Sequence, residues 1–152
     1  MSEDQNQQQE GRQLFCRVIT PEKVIYDGEA DLVVVRIADG DIGVMRDHAP
    51  IVSTVEPREV RITQDDEKYV FATSDGFFKM SENLVQILVE EAVPPDEIDV
   101  EEAESRVEEA ENELSEISNE EDGERKRSEI EGRREVAENL VRVAREYGEG
   151  SS

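Results

Sequence analysis

Short apolar stretches rich in valine and isoleucine recur between residues 14 and 93, and clusters of Gly, Pro and Asp separate them. Alternation such as Val60-Arg61-Ile62 is typical of a strand with one buried face, whereas the run Leu32-Val33-Val34-Val35 needs apolar cover on both faces, as in two packed sheets. Nine such stretches predict an antiparallel β-sandwich or barrel. The predicted strands span residues 14–20, 24–26, 32–37, 42–45, 51–55, 59–63, 68–74, 76–80 and 84–89.

The apolar period becomes helical after residue 93, where Pro94-Pro95 ends the last strand. One seam with spacings of four and three comprises Ala103, Val107, Ala110, Leu114 and Ile117. A second stripe, which predicts a helix from about residue 125 to residue 147, comprises Ile130, Ala137, Leu140 and Ala144. Asn119 and Gly123 predict a turn between the helices, so residues 94–152 are predicted to form an antiparallel two-helix hairpin.

The predicted chain is therefore of the α+β class, in three parts. Polar, glutamine-rich residues 1–13 predict a disordered tail, residues 14–93 the β-domain and residues 94–152 the hairpin. The hairpin is predicted to be marginal, because its seams are mostly alanine and valine and because Gly132 interrupts the second helix. We therefore expect the hairpin to be able to detach and rearrange.

Charge narrows the possible partners. The 152 residues include 17 Lys and Arg against 40 Asp and Glu, a formal net charge of -23. Such a surface repels nucleic-acid phosphates and anionic lipid headgroups, so the expected partners are proteins. Only four lysines stand beside thirteen arginines, which we interpret as adaptation to high salt; acidity that serves a binding partner is the alternative. Residues 96–124 carry a net charge of -14 and residues 125–152 carry +1, so antiparallel pairing lowers repulsion within the hairpin.

Candidate chemistry is scarce. One cysteine and one histidine exclude an internal disulfide and make a zinc site improbable, and the simplest role for Cys16 is a small apolar residue in the core. The Gly40-Asp41-Ile42-Gly43 segment lacks a Walker lysine and predicts a tight turn with close strand approach. The sequence has no nucleophile elbow, no secretory leader and no apolar run of 18 residues, so we expect a cytoplasmic protein that is not an enzyme and holds no cofactor or metal.

The segment DGDIGVMRDHAPIVST at residues 39–54 resembles the G-[ED]-x-G-[IL]-x-x-x-H-A-P-L-[LV]-[ST] stretch of the epsilon subunit of F-type ATP synthase. Further segments resemble that family in the expected order, and these are residues 14–28, 59–62, 71–78, 85–92 and 96–103. The resemblance extends from residue 14 to about residue 147, and its order of parts agrees with a β-sandwich followed by a helical hairpin.

The resemblance implies that a loop at one end of the sandwich contacts the ring of membrane c subunits. The candidate contact residues are Asp41, Arg46, Asp47 and His48. The turn of the same loop is assigned to Gly40, Gly43, Ala49 and Pro50. His48 equally fits a side chain that hydrogen-bonds to its own loop. For Ala49 and Pro50 the favoured interpretation is that they only set the start of the next strand.

By the same resemblance, the sandwich binds the central gamma subunit and belongs to the rotor that couples proton flow to ATP synthesis at the inner face of the cell membrane. The hairpin is the regulatory part: folded down it permits hydrolysis, and extended along gamma it blocks the alpha and beta catalytic subunits. Candidate contacts to acidic segments of those subunits are Arg133, Arg134, Arg142 and Arg145. The simpler alternative is a solvated helix face with the i,i+4 pairs Glu129–Arg133 and Glu138–Arg142.

The sequence departs from the family pattern at two places. Arg46-Asp47 stands where the family usually has Pro-Gly before His-Ala-Pro. A degenerate form of the family's nucleotide motif I-D-x-x-R-A comprises Ile98, Asp99, Glu102 and Ala103. Because the carboxylate of Glu102 stands at the arginine position and repels polyphosphate, we expect weak or no ATP binding by the isolated subunit.

Two other classes of function remain open on the residues alone. An acidic coiled-coil adaptor would use the helices for binding but would leave the β-domain unexplained. A ligand-binding β-barrel would need a concave site with convergent polar groups, which the sequence does not indicate.

Overall fold

The computed structural model describes residues 12–117 and 123–148, which form ten strands, one 3-10 turn and two helices. The strands are β1 (Leu14–Ile19), β2 (Val24–Ala30), β3 (Leu32–Ile37), β4 (Gly40–Met45), β5 (Ile51–Val55), β6 (Glu59–Gln64), β7 (Glu67–Thr73), β8 (Gly76–Ser81), β9 (Leu84–Val89) and β10 (Ala92–Val93). The 3-10 turn is Pro95–Glu97, and the helices are α1 (Val100–Glu116) and α2 (Gly123–Tyr147).

The strands form two five-stranded sheets that face each other across one apolar core. The first sheet has the order β2-β1-β9-β8-β5 and the second has the order β10-β7-β6-β3-β4. Alternate residues of each strand enter the core, which is why Val33 and Val35 of β3 and Val60 and Ile62 of β6 are buried. The prediction of a β-sandwich followed by two helices is confirmed.

One pair of strands differs from the predicted antiparallel arrangement. β1 and β9 are parallel, with Phe15 beside Leu84 and Ile19 beside Leu88, whereas the neighbouring pairs of both strands are antiparallel. A parallel pair needs a long connection between its two strands, and here the segment from β2 to β8 supplies it. The sequence pattern indicates turns between consecutive strands, but it does not indicate which strands far apart in the chain lie side by side.

Strand positions agree with the apolar pattern, and the differences lie at the ends. β2 extends to Ala30, four residues beyond its apolar segment, because its polar residues Asp27 and Glu29 face away from the core. A turn joins β6 to β7 in the gap between the strands predicted at residues 59–63 and 68–74, with Asp65 at a φ of 54°. β10 was not predicted, because a two-residue strand carries no period of its own.

The helical hairpin begins with a side-chain cap. The carboxylate of Asp99 accepts a hydrogen bond from the Glu102 backbone N–H at 3.1 Å and so starts α1 at Val100. Ion pairs join Arg133 to Glu113 and Arg145 to Glu104, which shows that α1 and α2 run antiparallel. The predicted turn includes residues 118–122, which lie outside the described residues, as do residues 1–11 of the predicted tail.

The hairpin covers part of the outer surface of the second sheet. Ala72 on β7 packs against Ala103 of α1 and against Leu140 and Val143 of α2, and all four are buried. Along residues 12–117 and 123–148, neither helix is long and apolar enough to cross a membrane.

Candidate functional site

The outer surface of the first sheet, here called the outer face, carries apolar side chains on either side of the polar cross-strand row Arg17–Gln86–Lys79, and neither described helix lies over it. Its exposed side chains are Phe15 at 44%, Val52 at 70%, Phe77 at 61% and Leu88 at 48%. Phe77 and Leu88 are cross-strand partners, and Ile19 lies beside Leu88 on the next strand, so the side chains form a continuous row. A shallow groove of about 420 Å³ opens along this row. Contiguous apolar surface of this kind marks an interaction site.

The loop between β4 and β5, here called the end loop (residues 46–50), lies at one end of the sandwich. Asp47 has a φ of 67°, a left-handed conformation that is uncommon outside glycine. Its backbone N–H donates to Oδ1 of Asn83 at 2.7 Å, and Nδ2 of Asn83 donates to Oδ1 of Asp47 at 3.2 Å. The Nδ1 atom of His48 lies 2.7 Å from the carbonyl oxygen of Ala49. His48 therefore does hydrogen-bond to its own loop, as the simpler of its two interpretations predicts.

The structure does not bring Asp41 together with His48. Asp41 lies near the start of β4, and the end loop begins only after Met45, four residues or about 13 Å further along the extended strand. Its carboxylate accepts a hydrogen bond from Nε of Arg36 at 2.7 Å, which with the charge of Arg36 holds the pKa of Asp41 below its ordinary value. A second arginine, Arg61, lies 3.9 Å away. The interpretation of Asp41 and His48 as parts of one loop is therefore corrected, because a strand separates them.

The predicted turn residues divide in the same way. Gly40 has a φ of 127° and follows the turn between β3 and β4, so its glycine identity has a conformational reason. Gly43 lies within β4, and a Cβ there would lie 3.3 Å from a methyl group of Leu32. Ala49 and Pro50 are exposed and directly precede β5.

A third set of contacts, here called the hairpin latch, joins α2 to the second sheet. The carboxylate of Glu59 on β6, only 10% exposed, pairs with the guanidinium of Arg142 and accepts a hydrogen bond from the hydroxyl of Tyr147 at 3.2 Å. Asn139, 6% exposed, donates through Nδ2 to the carbonyl oxygens of Arg58 and Thr73, both at 3.1 Å, and its Oδ1 accepts from Arg142 at 2.8 Å.

A bidentate ion pair adds a second attachment through α1. Both terminal nitrogens of Arg106 donate to the carboxylate of Glu91, at 2.9 and 3.1 Å. Fork-shaped pairs of this kind fix orientation as well as distance. The hairpin is thus held by directed polar contacts beside its small apolar contact with β7.

Burial and hydrogen bonding have opposite effects on the ionisation of Glu59. Burial alone would raise its pKa, but the hydrogen bonds from Arg142, the backbone and Tyr147 outweigh burial and lower the pKa below its ordinary value. The stability that the ionised carboxylate contributes is therefore present above about pH 4.3, the ordinary pKa of glutamate, and is lost as the pH falls through the lowered pKa of the folded state.

We expect Glu59→Gln to loosen the hairpin at pH 7 and to remove this part of its acid sensitivity. NMR signals of the Tyr147 ring and the Val143 methyl groups, followed from pH 7 to pH 3, would report whether the hairpin is docked. The matched control is Glu104→Gln, whose partner Arg145 is 68% exposed, because exposed pairs contribute little. Indistinguishable pH profiles for the two variants would contradict the role given to Glu59.

The four candidate regulatory arginines are all engaged with carboxylates. Arg133 pairs with Glu113, Arg134 with Glu138, and Arg145 with Glu104. Arg142 pairs with both Glu59 and Glu146. The simpler prediction of i,i+4 pairing holds for Arg134 and Arg142, but through Glu138 and Glu146, and Arg133 reaches across to α1 instead of pairing with Glu129.

The degenerate nucleotide motif lines a small cavity between the 3-10 turn, α1 and α2. The cavity is about 130 Å³ and its polar lining is dominated by carboxylates. Its lining residues include Glu91, Glu97, Ile98, Asp99, Glu102, Ala103 and Arg106. The one guanidinium among the lining residues, that of Arg106, is already paired with Glu91.

Cys16 has no exposed surface, as predicted, and burial raises the pKa of its thiol to about 12. The thiol therefore stays protonated at neutral pH and is a poor nucleophile. Among the described residues there is no group of three or more His, Cys, Asp and Glu that could hold a metal ion.

Comparisons with known proteins agree with this geometry. Residues 13–95 match the family described as the β-sandwich domain of the ATP synthase Delta/Epsilon chain. An ATP synthase epsilon chain from Rubrobacter xylanophilus is 66% identical over 143 residues, which cover 93% of this chain and 98% of the relative. The chain belongs to the epsilon-chain family of ATP synthase. The predicted family and the prediction of a non-catalytic chain are thereby confirmed.

Other epsilon chains match over a shorter part of this chain. The sodium ion specific ATP synthase epsilon chain of Propionigenium modestum is 40% identical over 86 residues, 57% of this chain and 63% of that one. A chain in the Euglena gracilis mitochondrial ATP synthase, a structure of OSCP, F1 and c-ring, superposes with a TM-score of 0.68 at 25% identity, covering 85% of this chain and 79% of that one. A chain of the Tetrahymena thermophila central stalk and c-ring has the same fold, with a TM-score of 0.61 at 11% identity and coverage of 87% and 96%.

The sequence did not predict three features of this structure. Asn83 and Asn139 are buried asparagines. Asn139 carries a sequence signal, because it is a polar residue beside apolar neighbours of a helix stripe, whereas Asn83 lies in a turn, where an asparagine is common. The outer face had a visible signal, because Phe77-Phe78 places bulky apolar side chains on both surfaces of β8.

Proposed function

We propose that this epsilon-family chain is a rotor subunit of a rotary ATP synthase, peripheral to the inner face of the cell membrane, that connects the gamma subunit to the c-ring. The observation that carries the proposal is the uncovered apolar outer face. The hairpin covers part of the second sheet, and the outer face leaves the row of Ile19, Leu88 and Phe77 available to a partner. Fully desolvated aromatic and aliphatic side chains carry most of the affinity of protein interfaces, and Phe77 is the most prominent of them here.

The outer face is the proposed site for gamma, and the end loop is the proposed site for the c-ring. The end loop is polar and lies at the end of the sandwich, so it suits contact with the polar loops of a membrane ring, for which charge complementarity matters more than buried apolar area. Asp47 and His48 are the proposed contacts, with Arg46 beside them. Asp41 instead forms ion pairs with Arg36 on β3 and Arg61 on β6 and so links these strands to β4.

The hairpin is the proposed regulatory element. In the docked state, the guanidinium groups of four arginines form ion pairs with carboxylates of the same chain, and these are Arg133, Arg134, Arg142 and Arg145. Release of the latch would separate Arg142 from Glu59, and separation of α1 from α2 would free Arg133 and Arg145. These guanidinium groups would then be available to acidic segments of the alpha and beta subunits. The acidic cavity at the degenerate motif supports the proposal that ATP does not regulate this step by binding to the isolated chain.

We expect Phe77→Glu to weaken binding to an epsilon-depleted catalytic sector that contains gamma by about 100-fold or more, because the interface would have to desolvate a carboxylate. Binding of fluorescently labelled full-length chain would be measured by titration. Met45→Glu is the matched control, because Met45 is equally exposed at 61% but lies on the second sheet.

Equal affinities for the two variants and the unsubstituted chain would contradict gamma binding through the outer face. Recovery of no ATP synthase subunit by the tagged chain from ATPase-active membranes would contradict the rotor function as a whole. In that case the adaptor and ligand-binding alternatives would return.

A further inference from the structure

The turn between β8 and β9 is fastened to the end loop through one buried side chain. Glu82 and Asn83 have φ values of 50° and 61°. With Asp47 they make up three of the four non-glycine residues with positive φ among the described residues. Asn83 is 6% exposed although it occupies a turn. A buried polar side chain in a strained turn needs a specific set of partners, and Asn83 has them.

Asn83 contacts two other segments of the chain. Its Oδ1 accepts the Asp47 N–H at 2.7 Å and its Nδ2 donates to the Asp47 carboxylate at 3.2 Å. Its backbone carbonyl accepts the N–H of Phe15, at the start of β1, at 2.8 Å. Asn83 therefore joins the end loop to the β8–β9 turn and joins that turn to the start of β1.

The chemistry of the pair requires an amide at position 83. One planar group must accept from a backbone N–H and donate to a carboxylate, which asparagine does and aspartate does not. Asparagine also adopts left-handed backbone conformations more readily than most residues. With Asp47 fixed, the neighbouring His48 is held further by its own N–H, which donates to the carbonyl of Met45 at 3.1 Å, and by its Nδ1 contact with Ala49.

We propose that Asn83 is a positioning residue for docking on the c-ring: it holds the end loop in the conformation in which Asp47 and His48 meet their partner. This inference rests on the proposed role of the end loop. A loop that is already ordered loses less conformational entropy when it binds, so the brace strengthens docking without touching the partner. Loss of both side-chain hydrogen bonds is expected to weaken docking about 10- to 100-fold.

The pair allows an exchange of its two partners as a test. Asn83→Asp places two carboxylates against each other and removes the donor, so the end loop should loosen. The double variant Asn83→Asp with Asp47→Asn restores one donor and one carboxylate, and the carboxylate at position 83 still accepts the backbone N–H of residue 47. We expect Asn83→Asp to weaken binding to membranes that retain the c-ring when residue 47 is aspartate. In the Asp47→Asn background the same substitution should weaken binding much less.

Three measurements on the full chain separate positioning from general stability. The first is the titration of labelled chain into epsilon-depleted membranes that retain the c-ring, and the second is the same titration into the soluble catalytic sector that lacks it. The third is amide hydrogen exchange at residue 47. Asn83→Ala and Asn83→Asp should accelerate that exchange and weaken binding to the membranes, and binding to the soluble sector should stay unchanged.

An equal loss of affinity for both preparations, or no loss for the membranes, would overturn the positioning role. His48→Ala is the reference for the docking loop itself. If His48→Ala weakens membrane binding and the Asn83 variants do not, the inference about Asn83 fails and the proposed c-ring contact stands. If none of them weakens it, both fail. Should Asn83→Ala not fold, the comparison of Asn83→Asp in the two backgrounds decides the outcome.

Discussion

Gly76→Ala is expected to destabilise the sandwich by more than about 3 kcal/mol. A Cβ at position 76 would lie 2.1 Å from the carbonyl oxygen of Leu88 and 2.8 Å from a methyl group of Val89. The first contact is with backbone, so relief requires β8 and β9 to move apart in the middle of the first sheet. Equilibrium urea unfolding followed by far-ultraviolet circular dichroism would measure the loss.

The same substitution at Gly132 is the matched control and should have the opposite sign. Gly132 lies inside α2, and a Cβ there meets nothing within 4 Å. Alanine has a higher helix propensity than glycine, so Gly132→Ala should stabilise α2 by about 0.5 to 1 kcal/mol. Similar unfolding midpoints for Gly76→Ala and the unsubstituted chain would show that the strands tolerate a wider separation at this point.

Asn139→Leu is expected to weaken the docking of the hairpin by about 2 to 3 kcal/mol while the sandwich stays folded. The substitution keeps the side-chain volume approximately but removes the two hydrogen bonds to the carbonyls of Arg58 and Thr73. It also removes the amide oxygen that accepts from Arg142 and thereby orients this arginine toward Glu59. The latch would lose its buried half, and the ion pair would remain with a less fixed geometry.

Native-state hydrogen exchange resolved by residue would locate the effect. Amides of α1 and α2 should exchange faster in Asn139→Leu, and those of β3 and β6 should keep their protection. Asn112→Ala is the control, because Asn112 is an exposed asparagine on α1. Uniformly faster exchange through both sheets would mean that the hairpin and the sandwich unfold as one unit.

The sequence predicted the structure well wherever several apolar residues repeated with the spacing of a strand or of a helix. Alternation located the nine longer strands, and the helical stripes identified Ala103 and Leu140 as contact residues, both of which are buried. The end loop was found through its family motif, although the motif also suggested that Asp41 and His48 belong together. The strand from Asp41 to Met45 separates Asp41 from the end loop, and a motif written as a line of letters does not contain that distance.

Partners far apart in sequence could not be predicted. Asn139 lies 66 positions from Thr73, whose carbonyl it binds, and Asn83 lies 36 positions from Asp47. Each is a single polar residue, and whether its burial is favourable depends on groups that other segments place beside it. The partner of Arg133 could not be predicted for the same reason. Carboxylates were available to Arg133 both on its own helix and on α1, and it pairs with Glu113 on α1.

The parallel pairing of β1 with β9 imposes an order on synthesis. Phe15 pairs with Leu84, 69 positions later in the chain, so β1 leaves the ribosome with only β2 available as a neighbour. At about 5 to 20 residues per second, the other edge of β1 stays unpaired for roughly 3 to 14 s. During that interval Phe15 and the apolar residues of β1 lie on an open strand edge, which is the kind of surface that chaperones protect from aggregation. The first sheet can therefore be completed only late in the synthesis of this chain.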